Sequence, residues 1–266
     1  MGQGAYLSFQ QLIDQVGKTR SVLRIGEEWL QGRACFGGLV AGLVYESMRK
    51  QIGDAHRIRS LQISFVGPVS GEMFEIESEI LRQGKSVVQV MGRGIQNGMA
   101  QIVILGTFGK PRSSHLEVEP ERFTFSENPN EIQPAPYIAH VTPEFTKQFD
   151  YRYVSSYPFS GSEDQTLKGF VRFKNEKGSS IPHLLGLIDA WPPTILPMLK
   201  TPSPISSVTW NLQFFQDMPE FDAAEFCQYQ SCMTFAHEGY CCTSARVWNL
   251  RGKLLATSQQ TVVYFG

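Results

Sequence analysis

Asp189 is a carboxylate whose surroundings are expected to shift its pKa, because it lies in the apolar stretch HLLGLIDAWPP. The apolar spacing predicts a helix that Pro192-Pro193 must end or kink, so Asp189 falls near its end. An apolar setting and the negative end of a helix dipole both disfavour a charged carboxylate. Both effects raise its pKa toward the range of a general base. The alternative is an acid that reaches solvent or pairs with Lys200 or Arg172.

Hydroxyl and amide side chains follow on two predicted strands. In SSVTWNLQFF, alternation places the apolar residues on one face. The other face then carries four polar residues: Ser207, Thr209, Asn211 and Gln213. That face is either an ordinary solvent face or a polar wall opposite the helix of the other half. In LLATSQQTVVYFG, Gln259 and Gln260 are consecutive, so one amide points inward, to orient a water or to satisfy a backbone group.

Other catalytic motifs are missing or incomplete. The chain has no G-x-S-x-G and no H-E-x-x-H, and its five histidines do not cluster. His183 precedes Asp189 by six residues, which places it on another face of the helix, and we interpret it as surface at the helix start. The segments 92–98 and 84–86 resemble nucleotide-binding loops only in part, and we interpret both as turns between strands.

The elements that position these residues occur twice along the chain. Gly37-Gly38 opens an apolar helix, GGLVAGLVYESMRKQ, and four strand-like segments follow it: SLQISFVGPV, EMFEIESEILRQ, SVVQVMGRGIQ and MAQIVILGTFG. In the second half a strand-like FTKQFDYRYVS precedes the apolar helix SSIPHLLGLIDAW. Four strand-like segments follow again: SVTWNLQFF, AEFCQYQSCMTF, YCCTSARVWN and LLATSQQTVVYFG. Both helices are apolar on nearly all sides and must be buried.

One helix followed by antiparallel strands, twice, predicts an α+β fold. Two antiparallel sheets, each wrapped around a central helix, satisfy both patterns, and this is a double hotdog. We expect an N-terminal hotdog at residues 1–112, a connecting segment at 113–144 and a C-terminal hotdog carrying the site at 145–266. Aligning the two helices sets Val44 against Asp189, so the acid is not duplicated. The nearest acid of the first helix, Glu46, is predicted at a solvated helix end.

The overall composition limits the class of partner. In 266 residues, 24 Lys and Arg balance 25 Asp and Glu, which gives a net charge of -1 and a pI near 6.5. This balance argues against nucleic acid or an anionic membrane as partner, and no apolar run is long enough to span a bilayer. The N-terminus lacks the pattern of a signal peptide, and five cysteines without disulfide or zinc spacing indicate reduced thiols. We therefore expect a cytoplasmic protein.

With these residues and elements in place, the chain resembles the acyl-CoA thioesterase II group of double-hotdog proteins. Four segments carry the resemblance: GGLVAGLVYESM, ISFVGPVSGEMFEIESEILRQGKSVVQVMGRGIQNG, HLLGLIDAWPP and EGYCCTSARVWNLRGKLLATSQQTVVYFG. The resemblance covers nearly the whole chain apart from residues 110–144. It rests on the order and spacing of these segments rather than on one rare motif. Members of that group carry an Asp-His pair where this chain has Thr209-Trp210, a difference that concerns substrate preference more than chemistry.

The resemblance implies a hydrolase that cleaves acyl-CoA thioesters to free fatty acid and CoA without a covalent intermediate. It requires no metal and no organic cofactor. Asp189 would act as general base on a water held by Ser207 and Gln260, with Thr209 as the second choice for the hydroxyl. Backbone N–H groups at the start of a central helix would polarise the thioester carbonyl, and two pairs are candidates: Gly37-Gly38 and Pro182-His183.

Two other classes of function stay open on this fold. A hotdog hydratase or dehydratase of acyl thioesters uses a histidine with an acid, and the pattern places no histidine near Asp189. A non-catalytic acyl-thioester binding or assembly protein has no need to keep Asp189, Ser207 and Gln260 together. Because hotdog sheets leave an open edge and an exposed face, we expect a homodimer or a homotetramer.

Overall fold

The computed structural model describes residues 6–215 and 221–265. Within them lie three α-helices: α1 (Phe9–Asp14), α2 (Gly37–Gln51) and α3 (Ile181–Asp189). The strands of the first half are β1 (Arg20–Arg24), β2 (Leu30–Gln31), β3 (Ala34–Cys35), β4 (Arg57–Phe65), β5 (Met73–Gln83), β6 (Val87–Gln96) and β7 (Met99–Gly109). The strands of the second half are β8 (Phe149–Tyr153), β9 (Thr166–Phe173), β10 (Ile205–Phe214), β11 (Cys227–His237), β12 (Tyr240–Asn249) and β13 (Leu254–Tyr264).

All strands except β2 and β3 form one 11-stranded antiparallel sheet, in the order β1-β5-β6-β7-β4-β10-β13-β12-β11-β9-β8. The halves of the chain contribute the two ends of this sheet. They join where β4 pairs with β10, Ile63 lying opposite Trp210 and Leu61 opposite Leu212. The two sheets expected from the sequence therefore meet edge to edge and continue as one.

Helix α2 is buried against the first half of the sheet, as its apolar composition predicts. Two strand glycines make room for it: a Cβ at Gly92 would lie 2.6 Å from Val44 Cγ1, and one at Gly106 would lie 2.7 Å from Met48 Cε. Larger residues at these positions would push the helix off the sheet, because a packed core has no space to absorb them. The strands of the first half therefore pack closely against α2.

Helix α3 packs directly against α2, so a single hydrophobic core spans both halves of the chain. Their contact is close because small residues line it. A Cβ at Gly42 of α2 would lie 3.3 Å from Pro182 Cβ of α3, and one at Gly38 would lie 3.1 Å from the Cα of Gly186. The two central helices therefore position each other.

Of the two segments interpreted as turns, residues 84–86 do lie between β5 and β6, but residues 92–96 belong to β6, so that prediction is wrong in part and only Asn97 and Gly98 form a turn there. Asn97 and Gly98 have φ of 55° and 74°, and Glu238 and Gly239 have φ of 54° and 79°, as two-residue hairpins of type I′ require. Residues 110–143 contain no helix or strand. The division into two hotdogs and a 113–144 connection stays a prediction. Among the residues described, no helix has both the length and the apolar character needed to cross a bilayer.

Candidate active site

Asp189 is the last residue of α3, and several contacts fix that end of the helix. At the start of α3, Ser180 Oγ accepts a hydrogen bond from the backbone N–H of His183, which caps the helix. At the end, the Tyr151 hydroxyl donates to the carbonyl of Ala190 at 3.0 Å. The following segment is tied to β11 by the hydroxyls of Thr194 and Ser231, 2.5 Å apart. The backbone that carries Asp189 is therefore held by the sheet.

The N-terminus of α2 meets the C-terminus of α3 at this carboxylate. A Cβ at Gly37 would lie 2.9 Å from Asp189 Oδ2, and one at Gly38 would lie 3.0 Å from Asp189 Cβ. The backbone N–H of Gly38 donates to the carboxylate. Only glycine lets the two helices come this close. Asp189 thus lies at the negative end of its own helix and at the positive end of α2.

Burial raises the pKa of Asp189 from 3.8 to about 7, while the hydrogen bonds from Gln260 and from the Gly38 N–H lower it in part. The direction of this pKa shift agrees with the one expected from the sequence. The alternative partners are absent among the described residues: Arg172 pairs with Asp150 at 3.0 Å, and Lys200 makes no ion pair with Asp189. A carboxylate of this kind exchanges protons near neutral pH.

Gln260 is the glutamine of the pair that points inward. Its Nε2 donates to Oδ1 of Asp189 at 3.1 Å, whereas Gln259 is exposed on the other face of β13. On the inner face, Gln260 lies opposite Trp210 of β10 and opposite Thr243 of β12. The structure therefore brings Asp189 and Gln260 into direct contact, although they are 71 residues apart.

Ser207 lies on the same inner face, but the predicted face of β10 is wrong in part. A β-bulge at Val208 shifts the register, so that Ser207 lies opposite Val262 while Thr209 lies opposite Thr261. Directly opposite residues share a face, and Val262 is fully buried. Ser207 therefore shares the face of Gln260, and Thr209 points to the other side. No hydrogen bond joins the Ser207 hydroxyl to Asp189 or Gln260 within the described parts of the chain.

The bulge also corrects the assignment of the remaining residues of β10. Trp210, Leu212 and Phe214 are buried as predicted, but Val208 does not share their face and is exposed. Trp210 is fully buried, and its Nε1 donates to Ser258 Oγ at 2.8 Å. The extra residue of a bulge reverses the alternation that follows it. A polar wall made of all four predicted residues therefore does not form.

The corresponding end of α2 carries no equivalent site. Glu46 was expected at a solvated helix end, but it is buried and pairs with Arg49 at 2.7 Å. The neighbouring Ser47 is buried as well and its hydroxyl contacts that of Ser78 at 2.8 Å. The carboxylate of α2 is therefore engaged by a guanidinium of its own helix rather than enclosed between two helix ends.

His183 is not at the surface, and that prediction is wrong. The side chain is fully buried because α1 packs over the start of α3, with the ring of Phe9 at 5.3 Å from the imidazole. Its Nδ1 contacts Ser180 Oγ at 2.7 Å, and burial lowers its pKa to about 4. His183 therefore stays neutral, and it occupies the opposite end of α3 from Asp189.

Comparison with known proteins gives the family. Residues 25–109 match the model of the acyl-CoA thioesterase N-terminal domain, and residues 129–264 match that of the acyl-CoA thioesterase C-terminal domain. Comparison with curated proteins gave no match.

Solved structures with the same fold include three that cover nearly the whole chain. A conserved protein of unknown function with a hot dog fold, from Alicyclobacillus acidocaldarius, is 20% identical with a TM-score of 0.83, covering 96% of this chain and 98% of its own. The acyl-CoA thioesterase II TesB2 of Mycobacterium marinum is 15% identical with a TM-score of 0.73, covering 97% and 98%. The tesB protein of Mycobacterium avium subspecies paratuberculosis is 11% identical with a TM-score of 0.75, covering 97% and 100%.

At these identities the structural likeness establishes the fold, which confirms the predicted double hotdog. The family matches cover both halves of the chain, including Asp189 and Gln260. The protein belongs to the acyl-CoA thioesterase family.

Proposed function

We propose that the protein hydrolyses acyl-CoA thioesters to a free fatty acid and CoA, a reaction of fatty acid metabolism. The observation that carries the proposal is Asp189, enclosed between two helix ends, with a pKa raised to about 7 and a hydrogen bond from Gln260. At neutral pH about half of such carboxylates are ionised and able to accept a proton from water. Membership of the family supports acyl-CoA as the substrate.

In the proposed reaction, Asp189 takes a proton from a water held by Ser207 and Gln260. The water oxygen attacks the thioester carbonyl carbon and forms a tetrahedral intermediate. When this collapses, the carbon–sulfur bond breaks and the protonated Asp189 returns its proton to the CoA sulfur. Oxygen therefore comes directly from water, and no acyl-enzyme forms.

The start of α2 is the better of the two predicted places for polarising the carbonyl. Gly37 adjoins the carboxylate of Asp189, and its N–H makes no hydrogen bond among the described residues. The N–H of Gly38 is engaged by Asp189 itself. At the other candidate, Pro182 has no N–H and that of His183 donates to Ser180 Oγ at 3.4 Å, far from Asp189. We therefore propose that the Gly37 N–H and the α2 dipole stabilise the negative charge that develops on the thioester carbonyl oxygen.

The position of His183 disfavours the hydratase or dehydratase alternative. That chemistry needs a histidine beside the acid, and His183 lies at the other end of α3, about 9 Å along the helix axis. No other histidine bonds or pairs with Asp189 in the described part of the chain. The binding-protein alternative remains as one outcome of the test below.

The setting proposed for the enzyme is the cytoplasm, with acyl-CoA rather than nucleic acid or a membrane as its partner. All five cysteines are free, as a reducing compartment favours. The net charge of -1 provides no basic surface for a polyanion. We further propose a homodimer or homotetramer, because the 11-stranded sheet has two open edges and an exposed outer face.

The test is release of free thiol from a panel of acyl-CoAs of increasing chain length, with wild type and Asp189→Asn. We expect the substitution to lower kcat by about 10²–10⁴-fold, because the amide cannot accept the proton. In wild type, kcat/KM should fall as the pH drops below about 7, where Asp189 becomes protonated. The matched control is Glu46→Gln, which alters the buried carboxylate of the other central helix and should leave kcat unchanged.

Circular dichroism must show that both variants keep the fold. Turnover that survives Asp189→Asn would remove Asp189 as the base while leaving a thioesterase. A wild type that binds acyl-CoA but hydrolyses none of the panel would instead be the non-catalytic binding protein.

A further inference from the structure

A buried indole beside the proposed base carries a polar atom without a partner. Trp191 follows Asp189 by two residues, so their Cα atoms are at most about 7.6 Å apart, twice the spacing of consecutive Cα atoms. Trp191 is 5% exposed, and its Nε1 is enclosed and makes no hydrogen bond among the described residues. A buried donor without an acceptor costs free energy, so this N–H calls for an explanation.

Two other buried indoles of the chain have the acceptor that Trp191 lacks. Trp29 Nε1 donates to the carbonyl of Leu7 at 3.1 Å, and Trp210 Nε1 donates to Ser258 Oγ at 2.8 Å. Buried tryptophans ordinarily find such a partner. A purely apolar ring in place of Trp191 would fill the core without leaving a donor unpaired. Filling of space therefore does not account for the indole N–H.

The indole lies between two tyrosines that face the proposed base. Tyr229 of β11 stacks on it, with ring centroids 5.0 Å apart and an interplanar angle of 8°. Tyr151 of β8 packs edge to face at 5.9 Å, and its hydroxyl donates to the carbonyl of Ala190. Both phenols interact electrostatically with the Asp189 carboxylate. Trp191 therefore belongs to the surroundings of the base rather than to a distant part of the core.

A glycine of the sheet fixes the position of the indole. Gly169 of β9 lies opposite Tyr153 of β8 on one side and opposite Tyr229 of β11 on the other. A Cβ at Gly169 would lie 2.7 Å from Trp191 Cη2, so only glycine leaves room for the ring. Because stacking on Tyr229 and the contact with Gly169 hold the indole, Nε1 cannot turn toward another acceptor of the protein.

We propose that the Trp191 N–H donates a hydrogen bond to an oxygen on the acyl chain, so that the site selects acyl-CoAs with a hydroxyl or keto group close to the thioester. The inference rests on the proposed function and names the substrate class of that same site. The oxygen belongs on one of the first carbons beyond the carbonyl, because the indole lies beside the groups that face Asp189. A site built to donate to a substrate oxygen discriminates against the analogue that lacks it.

Tyr153 is the side chain that moves to admit such an acyl group. Its ring packs edge to face against the indole at 5.2 Å, but the residue is only partly buried. Its other ring contact is Tyr157, at 4.8 Å, which is 45% exposed. Tyr151 and Tyr229 are buried. Of the three tyrosines around the indole, Tyr153 is therefore the one that can turn outward and make room.

The test compares kcat/KM for acyl-CoA pairs that differ in one hydroxyl group: butanoyl-CoA with β-hydroxybutanoyl-CoA, and hexanoyl-CoA with β-hydroxyhexanoyl-CoA. We expect wild type to favour the hydroxylated member of each pair. Trp191→Phe keeps an aromatic ring and removes the N–H, so it should lower kcat/KM by about tenfold for the hydroxylated members and by at most about twofold for the others. An equal loss for both members of a pair would overturn the inference.

The matched control is Trp248→Phe. Trp248 is buried to the same extent, but it lies opposite Leu254 at the start of β13, six residues before Gln260. This variant should keep the preference of wild type for the hydroxylated substrates. Circular dichroism checks that both variants keep the fold.

Binding measured without turnover separates this inference from the proposed function. Hydrolysis-resistant thioether analogues of hexanoyl-CoA and β-hydroxyhexanoyl-CoA report affinity by calorimetry whether or not the protein is a thioesterase. In NMR spectra of wild type, which require no variant to fold, the Trp191 indole N–H resonance should shift downfield with the hydroxylated analogue only. Tighter binding of that analogue, lost in Trp191→Phe, supports the inference even if no acyl-CoA is hydrolysed. Absence of binding, equal affinities in wild type, or a preference that survives Trp191→Phe would each overturn it.

Discussion

Ser207 and Thr209 are two residues apart on one strand and yet point to opposite sides of the sheet. The bulge at Val208 is the cause, since it adds one residue between the pairs Ser207–Val262 and Thr209–Thr261. The hydroxyl on the side of Gln260 therefore belongs to Ser207. At the scale of single residues, this one irregularity separates two candidates that simple alternation makes equivalent.

We expect Ser207→Ala to lower kcat for acyl-CoA hydrolysis by about tenfold or more, because the water loses one of its two proposed holders. Thr209→Ala, which removes a hydroxyl from the outer face, should leave kcat within about twofold of wild type. Steady-state kinetics on the best acyl-CoA of the panel, with thermal unfolding as a check on the fold, makes the comparison. Equal kcat for Ser207→Ala and wild type would exclude the serine from the mechanism.

At the scale of elements, the crossing of α2 and α3 forms the site. Neither helix provides it alone, because Asp189 ends α3 and the Gly38 N–H that binds it begins α2. The helices approach closely since Gly38 faces Gly186, with no side chain between them. Fixed N–H donors at this distance place a partial positive charge beside a buried carboxylate, which limits the rise of its pKa.

Gly38→Ala tests this packing. The added Cβ would lie 2.7 Å from Phe36 Cζ, 3.0 Å from Asp189 Cβ and 3.1 Å from Gly186 Cα, so the helices must separate. We expect the free energy of unfolding to fall by about 1–3 kcal/mol, with a parallel loss of kcat as Asp189 moves. Gly53→Ala, where nothing lies within 4 Å of the new Cβ, is the control. Denaturant unfolding measures the stability of both variants. Equal free energies of unfolding for Gly38→Ala and Gly53→Ala would contradict the close approach of α2 and α3.

At the scale of the whole molecule, one sheet and one core make the two halves interdependent. β4 and β10 pair across the junction, and the central helices pack against each other. The outer face of the first half exposes apolar side chains between charged ones. Four of these, between 42% and 58% exposed, alternate with buried neighbours on their strands: Val22, Met73, Val87 and Leu105.

Such a face and two short edge strands favour association with another copy. We expect light scattering at micromolar concentration to give a mass of two or four chains rather than 29.9 kDa. Leu105→Glu, which places a charge on the outer face away from the site, should shift the distribution toward smaller particles if this face is buried between copies. A mass of one chain at these concentrations would refute the oligomer.

Much of this protein follows from its amino-acid order. Apolar helices flanked by alternating strands, twice, determine the α+β double hotdog, because a helix without a polar face must be wrapped by a sheet. The raised pKa of Asp189 also follows from local sequence, since its neighbours are apolar and prolines end its helix. One of two consecutive glutamines had to point inward, for the side chains of a strand alternate.

Only the tertiary structure decided which residues meet. Local pattern does not reveal the bulge at Val208, because a bulge depends on the pairing of β10 with β13. Nor does it reveal that α1 covers His183 or that Glu46 is buried with Arg49, because both depend on what packs over a helix end. The hydrogen bond from Gln260 to Asp189 depends on strand register across the sheet. Register and helix crossing are set by contacts between distant segments, and these exist only once the chain has folded.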